Sequence, residues 1–214
     1  MTRPVEVSGS SETPRVVSEG DAHVLCIEPT GAGAFEPASW PQASAASGGR
    51  GNAWFVSDGE QQLVLRYYMR GGKAALVSRD RYLFTGLART RSFREFRMLL
   101  DLYRAGLPVP EPVAALAQPG GRTYRAALLT RAIEGASSLG DRLAADDLSE
   151  PAMAAVGTCI RRFHDAGAWH ADLNANNVLF DRQGHVYLID FDRGRFRDGR
   201  GWCDGNLARL RRSL

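Results

Sequence analysis

His170-Ala171-Asp172-Leu173-Asn174-Ala175-Asn176-Asn177, continued after a short apolar hairpin by Ile189-Asp190-Phe191-Asp192, is the stretch that decides how this chain is read. The runs 177–180 and 185–191 flank Asp181-Arg182-Gln183-Gly184, which predicts two short antiparallel strands around a tight turn. Asn177 opens the first strand and Asp190 lies near the end of the second, so antiparallel pairing brings both to the same end. An amide and a carboxylate then share one corner. A second carboxylate, Asp172, stands in the loop just ahead of it.

This order resembles the catalytic loop of kinases, H-R-D-L-x-x-x-N, followed by their D-F-G element. Phosphoryl transfer asks little covalent work of a protein. It needs a carboxylate beside the acceptor hydroxyl and oxygen ligands that hold magnesium against the phosphates. Asp172 is the candidate catalytic carboxylate, and Asn177 and Asp190 are the candidate Mg2+ ligands. Any one of them alone reads as a loop residue capping a turn or closing a strand. In order, and behind an amphipathic helix ending Phe163-His164-Asp165-Ala166-Gly167, they read as a site.

Working outward, residues 1 to about 20 are rich in Ser, Pro and Glu without apolar period and predict a flexible leader. A first strand is predicted over Asp21 to Ile27, and a short helix or turn over Phe35 to Trp40. Pro41 to Asn52, built of small residues, predicts a loop. Ala53 to Val56 and Gln62 to Met69 around Ser57-Asp58-Gly59 predict a β-hairpin. Phe93, Phe96, Leu99, Leu100 and Tyr103 share one helical face, closed by Gly106 and Pro108. Strands over Val113 to Ala117 and Tyr124 to Thr130 follow, around Pro119-Gly120-Gly121. Beyond Thr130, Ser149 is the N-cap of a helix with Pro151 in its first turn and an apolar stripe of Met153, Val156, Ile160 and Phe163. The fold class expected is α+β and bilobal: an antiparallel-sheet N-terminal lobe with one helix (21–130) and a mainly helical C-terminal lobe (131–214).

The nucleotide side has its own candidates. Gly49-Arg50-Gly51 resembles a shortened glycine-rich loop, in which missing side chains let backbone N–H groups approach phosphates. Leu63-Val64-Leu65-Arg66 sits where kinases carry V-A-I-K. Arg66 replaces the lysine and is the candidate phosphate ligand, with Lys73 as rival. Glu95 is the candidate partner of Arg66, although Ser92-Phe93-Arg94-Glu95 also reads as a capping box. Leu128 to Ile133 is the expected hinge, with Thr130 and Ile133 offered to the adenine.

Composition sets the limits. The chain has 214 residues, 44% of them hydrophobic, enough for one substantial core or two small lobes around a cleft. Cys26, Cys159 and Cys203 are far apart and form no C-x-x-C pair, which favours a reducing compartment over a disulfide or zinc framework. The N-terminus lacks the apolar core of a secretory signal, and no apolar run is long enough to cross a bilayer. The net charge is +3, with arginines clustered at 79–97 and 193–212 and a single lysine, Lys73. Such clusters suit a polyanionic partner or a solvated face.

Arg193-Gly194-Arg195-Phe196-Arg197 follows the second motif without A-P-E or a long activation segment, and Asn174 stands where serine/threonine kinases carry lysine. Together with Val64 to Gly72, Thr90-Arg91-Ser92, Gly106-Leu107-Pro108-Val109-Pro110 and Trp169 to Asn177, the chain from about residue 48 onward resembles the 3-deoxy-D-manno-oct-2-ulosonic acid (Kdo) kinases. These are related to the lipopolysaccharide heptose kinases. The resemblance implies ATP- and Mg2+-dependent phosphorylation of the 4-hydroxyl of Kdo on a lipid A precursor, in the cytoplasm at the inner membrane's face. The partner implied is an anionic glycolipid and not a nucleic acid, with Arg70, Arg89, Arg91, Arg193 and Arg195 as candidate acceptor contacts. Lys73 stands where an apolar residue is expected for the family, and the chain ends at Leu214, earlier than expected. Two other readings are an aminoglycoside- or choline-type kinase, whose cationic acceptor favours an acidic cleft, and a nucleotide-binding pseudokinase, which the intact Asp172, Asn177 and Asp190 oppose.

Overall fold

The computed structural model of this chain describes residues 13–46, 52–69 and 80–214. Among them, eight strands form one antiparallel sheet. These are β1 (Arg15–Glu19), β2 (Ala22–Cys26), β3 (Gln42–Ala45), β4 (Ala53–Ser57), β5 (Gln62–Tyr67), β6 (Tyr82–Leu83), β7 (Pro112–Gly120) and β8 (Thr123–Arg131). Their order is β1-β2-β7-β8-β5-β4-β3, with β6 pairing β8.

The central strand β8 is apolar without a break, Ala126-Ala127-Leu128-Leu129, because both sheet faces are covered. Ala126 and Leu128 pack on the side of helix α1 (Arg91–Arg104), with Phe93, Phe96 and Leu99. Ala127 and Leu129 point the other way, onto Leu65, Val24 and Phe35. Two 3-10 turns, Ala32–Phe35 and Pro37–Ser39, bring Phe35 to that second face, as the short helix or turn expected at 35–40 requires. Each buried Leu, Val or Phe side chain here contributes about 1.5–3 kcal/mol relative to exposure.

Two expectations need correction here. β1 lies inside the segment read as a flexible leader and pairs along β2. β3 lies inside the Pro41 to Asn52 loop and pairs with β4. All four residues of β3 are exposed, so backbone pairing at the sheet edge holds it and no apolar alternation announces it. The Gly48-Gly49-Arg50-Gly51 run lies outside the described residues, as does Lys73.

Thr90 is the N-cap of α1, and its hydroxyl donates to the Leu87 carbonyl (2.7 Å). The Ser92 hydroxyl instead donates to the Leu116 carbonyl on β7 (2.7 Å), so the capping box with Glu95 does not form. At the other end Gly106 has φ +70°, with Leu107 N–H donating to Leu102 O and Gly106 N–H to Tyr103 O. That is the Schellman closure a glycine permits.

Beyond β8 come β9 (Ser137–Ser138), α2 (Leu139–Ala144), α3 (Glu150–Asp165) and β10 (Ala168–Trp169). The hairpin β11 (Val178–Phe180) and β12 (Val186–Leu188), β13 (Arg195–Phe196) and α4 (Cys203–Arg211) complete the chain. Ser149 caps α3 by accepting from Ala152 N–H, as expected. β11 pairs with β12 and β9, while β10 pairs with β13. One apolar cluster runs from Leu25 and Leu128 through α1 to Phe163 on α3, Phe180, Phe191 and Leu210, so the sheet and the later helices share a core. Cys26 and Cys159 are buried and unpaired, and burial pushes the Cys159 thiol up to about 12.

Candidate active site

The catalytic-loop candidate joins β10 to β11 and is pinned from within. His170, 1% exposed, donates from Nε2 to the Ile189 carbonyl (2.8 Å), and its Nδ1 accepts from the Asp172 N–H (3.1 Å). One ring thereby ties the loop to the strand leading into Asp190. Burial holds the His170 pKa below its ordinary value, and the ring must stay neutral because Nδ1 accepts. Asn174 donates to the Asp172 carbonyl (3.0 Å) and accepts from Asn176 N–H (2.9 Å), so it serves the loop.

Asn177 Nδ2 also donates to the Asp172 carbonyl (2.8 Å), while its own carbonyl accepts from Ile189 N–H (3.1 Å). The first bond joins the candidate catalytic loop to the candidate metal ligand, and the second sets Asn177 beside the residue preceding Asp190. Asp190 has φ +63° and Arg193 φ +61°. Left-handed backbone at non-glycine residues costs of the order of 1–3 kcal/mol and clusters at functional sites. One oxygen of Asp190, Oδ1, is buried without a hydrogen-bond partner, although Arg66 Nη1 stands 3.2 Å away in poor alignment. A buried carboxylate oxygen left in this state suits a cation. With Asn177 Nδ2 committed, the amide oxygen remains for the same ion. The donor set therefore fits magnesium.

Across the cleft, Arg66 on β5 donates from Nη2 to Glu95 Oε1 on α1 at 2.6 Å. The Tyr68 hydroxyl donates to Glu95 Oε2, and the Arg66 guanidinium lies over the Tyr68 ring, 4.7 Å from its centroid. Burial pushes the Glu95 carboxyl up while Arg66 pulls it back. Burial also opposes the charge on Arg66, but Glu95, Tyr68 and Asp190 override it and hold the guanidinium protonated. Arg66 thus sits between two carboxylates, with one side open to the cleft.

A cavity of about 350 Å³ unites these groups: Arg66, Glu95, Thr130, Ile133, Asn177 and Asp190 all line it. Val64, Leu99, Leu128 and Ile189 add apolar walls suited to a planar base. Phe55 on β4, 48% exposed, lines it as well. Asp172 does not line this cavity. Its side chain is 54% exposed and bonded through Oδ1 to Arg209 Nε (2.9 Å) and Nη2 (2.6 Å).

Of the arginines expected at an acceptor, Arg91 is engaged otherwise. Its guanidinium pairs with Asp192 and lies over Tyr82, joining α1 to the segment after Asp190. Arg195 stacks on Trp169 at 4.9 Å, beside Arg197 at 4.2 Å. Sequence reasoning did not single out Tyr68, Phe55, Arg209 or the Arg91–Asp192 pair. Tyr68 reads as one more aromatic in a hairpin, and only the fold shows what it meets.

A hairpin amide and carboxylate and a guanidinium–carboxylate pair thus line one cleft. The chain belongs to the Lipopolysaccharide kinase (Kdo/WaaP) family, whose profile matches residues 41–214. Among its relatives, the 3-deoxy-D-manno-octulosonic acid kinase of Xanthomonas euvesicatoria pv. vesicatoria (strain 85-10) is 51% identical over 183 residues, covering 84% of this chain and 73% of that protein. The protein of the same name from Stenotrophomonas maltophilia (strain K279a) is 49% identical over 185 residues, covering 85% and 74%. More remotely, the structure of the bifunctional kinase-methyltransferase WbdD matches with a TM-score of 0.45 at 16% identity, over 85% of this chain and 37% of that one. Choline kinase LicA from Streptococcus pneumoniae matches with a TM-score of 0.37 at 16% identity, over 72% and 63%. The chain spans about a third of the length of the WbdD structures it matches.

Proposed function

We propose that this chain is a Kdo kinase, transferring the γ-phosphoryl group of ATP to the 4-hydroxyl of Kdo on a lipid A precursor during lipopolysaccharide core assembly. The observation that carries the reading is the single cleft holding Arg66, Glu95, Asn177 and Asp190, in a chain about half identical to named Kdo kinases. On the two-lobed division expected at residue 130, the cleft lies between an N-terminal lobe (21–130) and a C-terminal lobe (131–214).

Within it, Thr130 and Ile133 face the nucleotide base, Arg66 neutralises phosphate charge, and Glu95 fixes the guanidinium. Gly49 and Gly51, outside the described residues, belong to the same phosphate-binding role. Asn177 and Asp190 hold magnesium, which supplies charge neutralisation on the phosphates when bound. Asp172 accepts the proton of the acceptor hydroxyl as its oxygen bonds to phosphorus and the bond to the nucleotide's bridging oxygen breaks. An exposed Asp172 outside the cavity lining suits an acceptor that arrives from outside attached to a lipid. Among the described residues no helix is long and apolar enough to cross a membrane. A glycolipid acceptor calls for peripheral contact with the membrane, on the cytoplasmic side in this reading.

The test is a labelled-ATP assay against Kdo-lipid A precursor, an aminoglycoside, choline and a protein substrate in parallel. Label on the Kdo acceptor alone is expected. Transfer only to one of the other acceptors would contradict the reading.

A further inference from the structure

Helix α4 lies across the catalytic loop and grips it at three points. Asn206, 4% exposed, donates from Nδ2 to the His170 carbonyl (2.7 Å), and its Oδ1 faces His164 Nε2 on α3 (3.2 Å). Just past the helix, Ser213 Oγ accepts from Ala175 N–H (2.9 Å). Between these two anchors, Arg209 reaches Asp172. Positions 206, 209 and 213 follow the three- and four-residue spacing of one helical face, so they meet loop residues 170, 172 and 175 in order. Leu210, on the same side, is buried in the shared core.

The anchors and the ion pair differ in burial. Asn206 and Leu210 are buried, whereas the side chains of Arg209 and Asp172 are 47% and 54% exposed. Exposed ion pairs contribute little to stability, so α4 docks without this one. Its geometry is nonetheless specific. Two nitrogens of one guanidinium donate to a single oxygen, Oδ1, and among the described residues Oδ2 accepts no hydrogen bond.

We propose that Arg209 is a positioning residue for phosphoryl transfer. Held by the two-donor grip, the Asp172 carboxylate cannot rotate freely in solvent and presents Oδ2 to the acceptor hydroxyl, whose proton it takes. Asn174 serves the loop backbone, so the cation beside the catalytic carboxylate comes from a helix 37 residues later. This proposal rests on the reading of Asp172 given above.

The experiment is steady-state transfer to Kdo-lipid A precursor by wild type, Arg209→Ala, Arg209→Lys, Asp172→Ala and the double variant Asp172→Ala/Arg209→Ala. Thermal unfolding is measured on each. Arg209→Ala is expected to lower kcat by roughly 10–100-fold, the scale of losing a positioned group. The KM for ATP and the Tm should stay unchanged. Lysine at 209 recovers only part of kcat, since a point charge cannot reproduce the two-donor geometry. The double variant is no slower than Asp172→Ala, because Arg209 acts through Asp172. Unchanged or raised kcat in Arg209→Ala, additive losses in the double variant, or a Tm that falls with activity would each overturn the proposal. Full turnover in Asp172→Ala would instead overturn the assignment of Asp172 and take this inference with it.

Discussion

Arg66 and Glu95 stand 29 residues apart in sequence and 2.6 Å apart in space, and the carboxylate is 2% exposed. Burying a carboxylate costs several kcal/mol unless it is paired and its other lone pairs are filled. Arg66 fills one oxygen and Tyr68 the other, so the pair links strand β5 to helix α1 at the cleft wall.

If Arg66 serves the nucleotide phosphates, Arg66→Ala weakens ATP binding more than Lys73→Ala does. A charge-assisted hydrogen bond contributes about 1.5–3 kcal/mol, or roughly 10–100-fold in Kd. Calorimetric titration of both variants checks this. The reverse order would move the role to Lys73.

Tyr68→Phe leaves one oxygen of buried Glu95 without its donor. The cost expected is about 1–3 kcal/mol, or a Tm lower by about 2–12 °C for a chain of this size. Thermal unfolding that matches wild type would show that the hydroxyl is dispensable.

His170 gives a pH signature. Burial holds its folded-state pKa below the unfolded value of about 6.5. The unfolded chain therefore binds the proton first as pH falls. Stability is fully present above that unfolded value and is lost as pH drops towards and through the folded pKa. Buried His164 is shifted in the same direction and adds to the trend. Tm measured between pH 7.5 and 5.5 should fall with acidity, and His170→Gln should flatten the slope. An unchanged slope would remove His170 from the effect.

Gly194 closes the turn after Asp190. A Cβ there would meet the Phe191 carbonyl oxygen at 2.8 Å and Met98 Sδ of α1 at 2.9 Å. Met98 can shift, but the backbone oxygen yields only by moving the segment that carries Asp190. Gly194→Ala is expected to cost about 1–3 kcal/mol and to lower turnover with it. Wild-type stability and turnover together would contradict the packing described.

The β11–β12 hairpin was legible because period-2 strands around a tight turn make the meeting of Asn177 and Asp190 a matter of geometry. Helices α1 and α3 were legible from their apolar stripes. β1 and β3 were not, since short exposed edge strands carry no alternation. α4 was missed because its loop-facing positions, Asn206, Arg209 and Ser213, are polar and meet backbone or a carboxylate. α2 left a signal that went unread: Ser138 and Asp141 form a capping box. The competing capping box at Ser92 and Glu95 was a false one, because tertiary partners on β7 and β5 took both side chains.

Asp172→Ala measures the central claim most directly. With labelled ATP and Kdo-lipid A precursor, its turnover should fall by roughly 10²–10⁴-fold while nucleotide binding persists, as expected on losing a general base. Turnover equal to wild type would remove Asp172 from the chemistry and contradict the account.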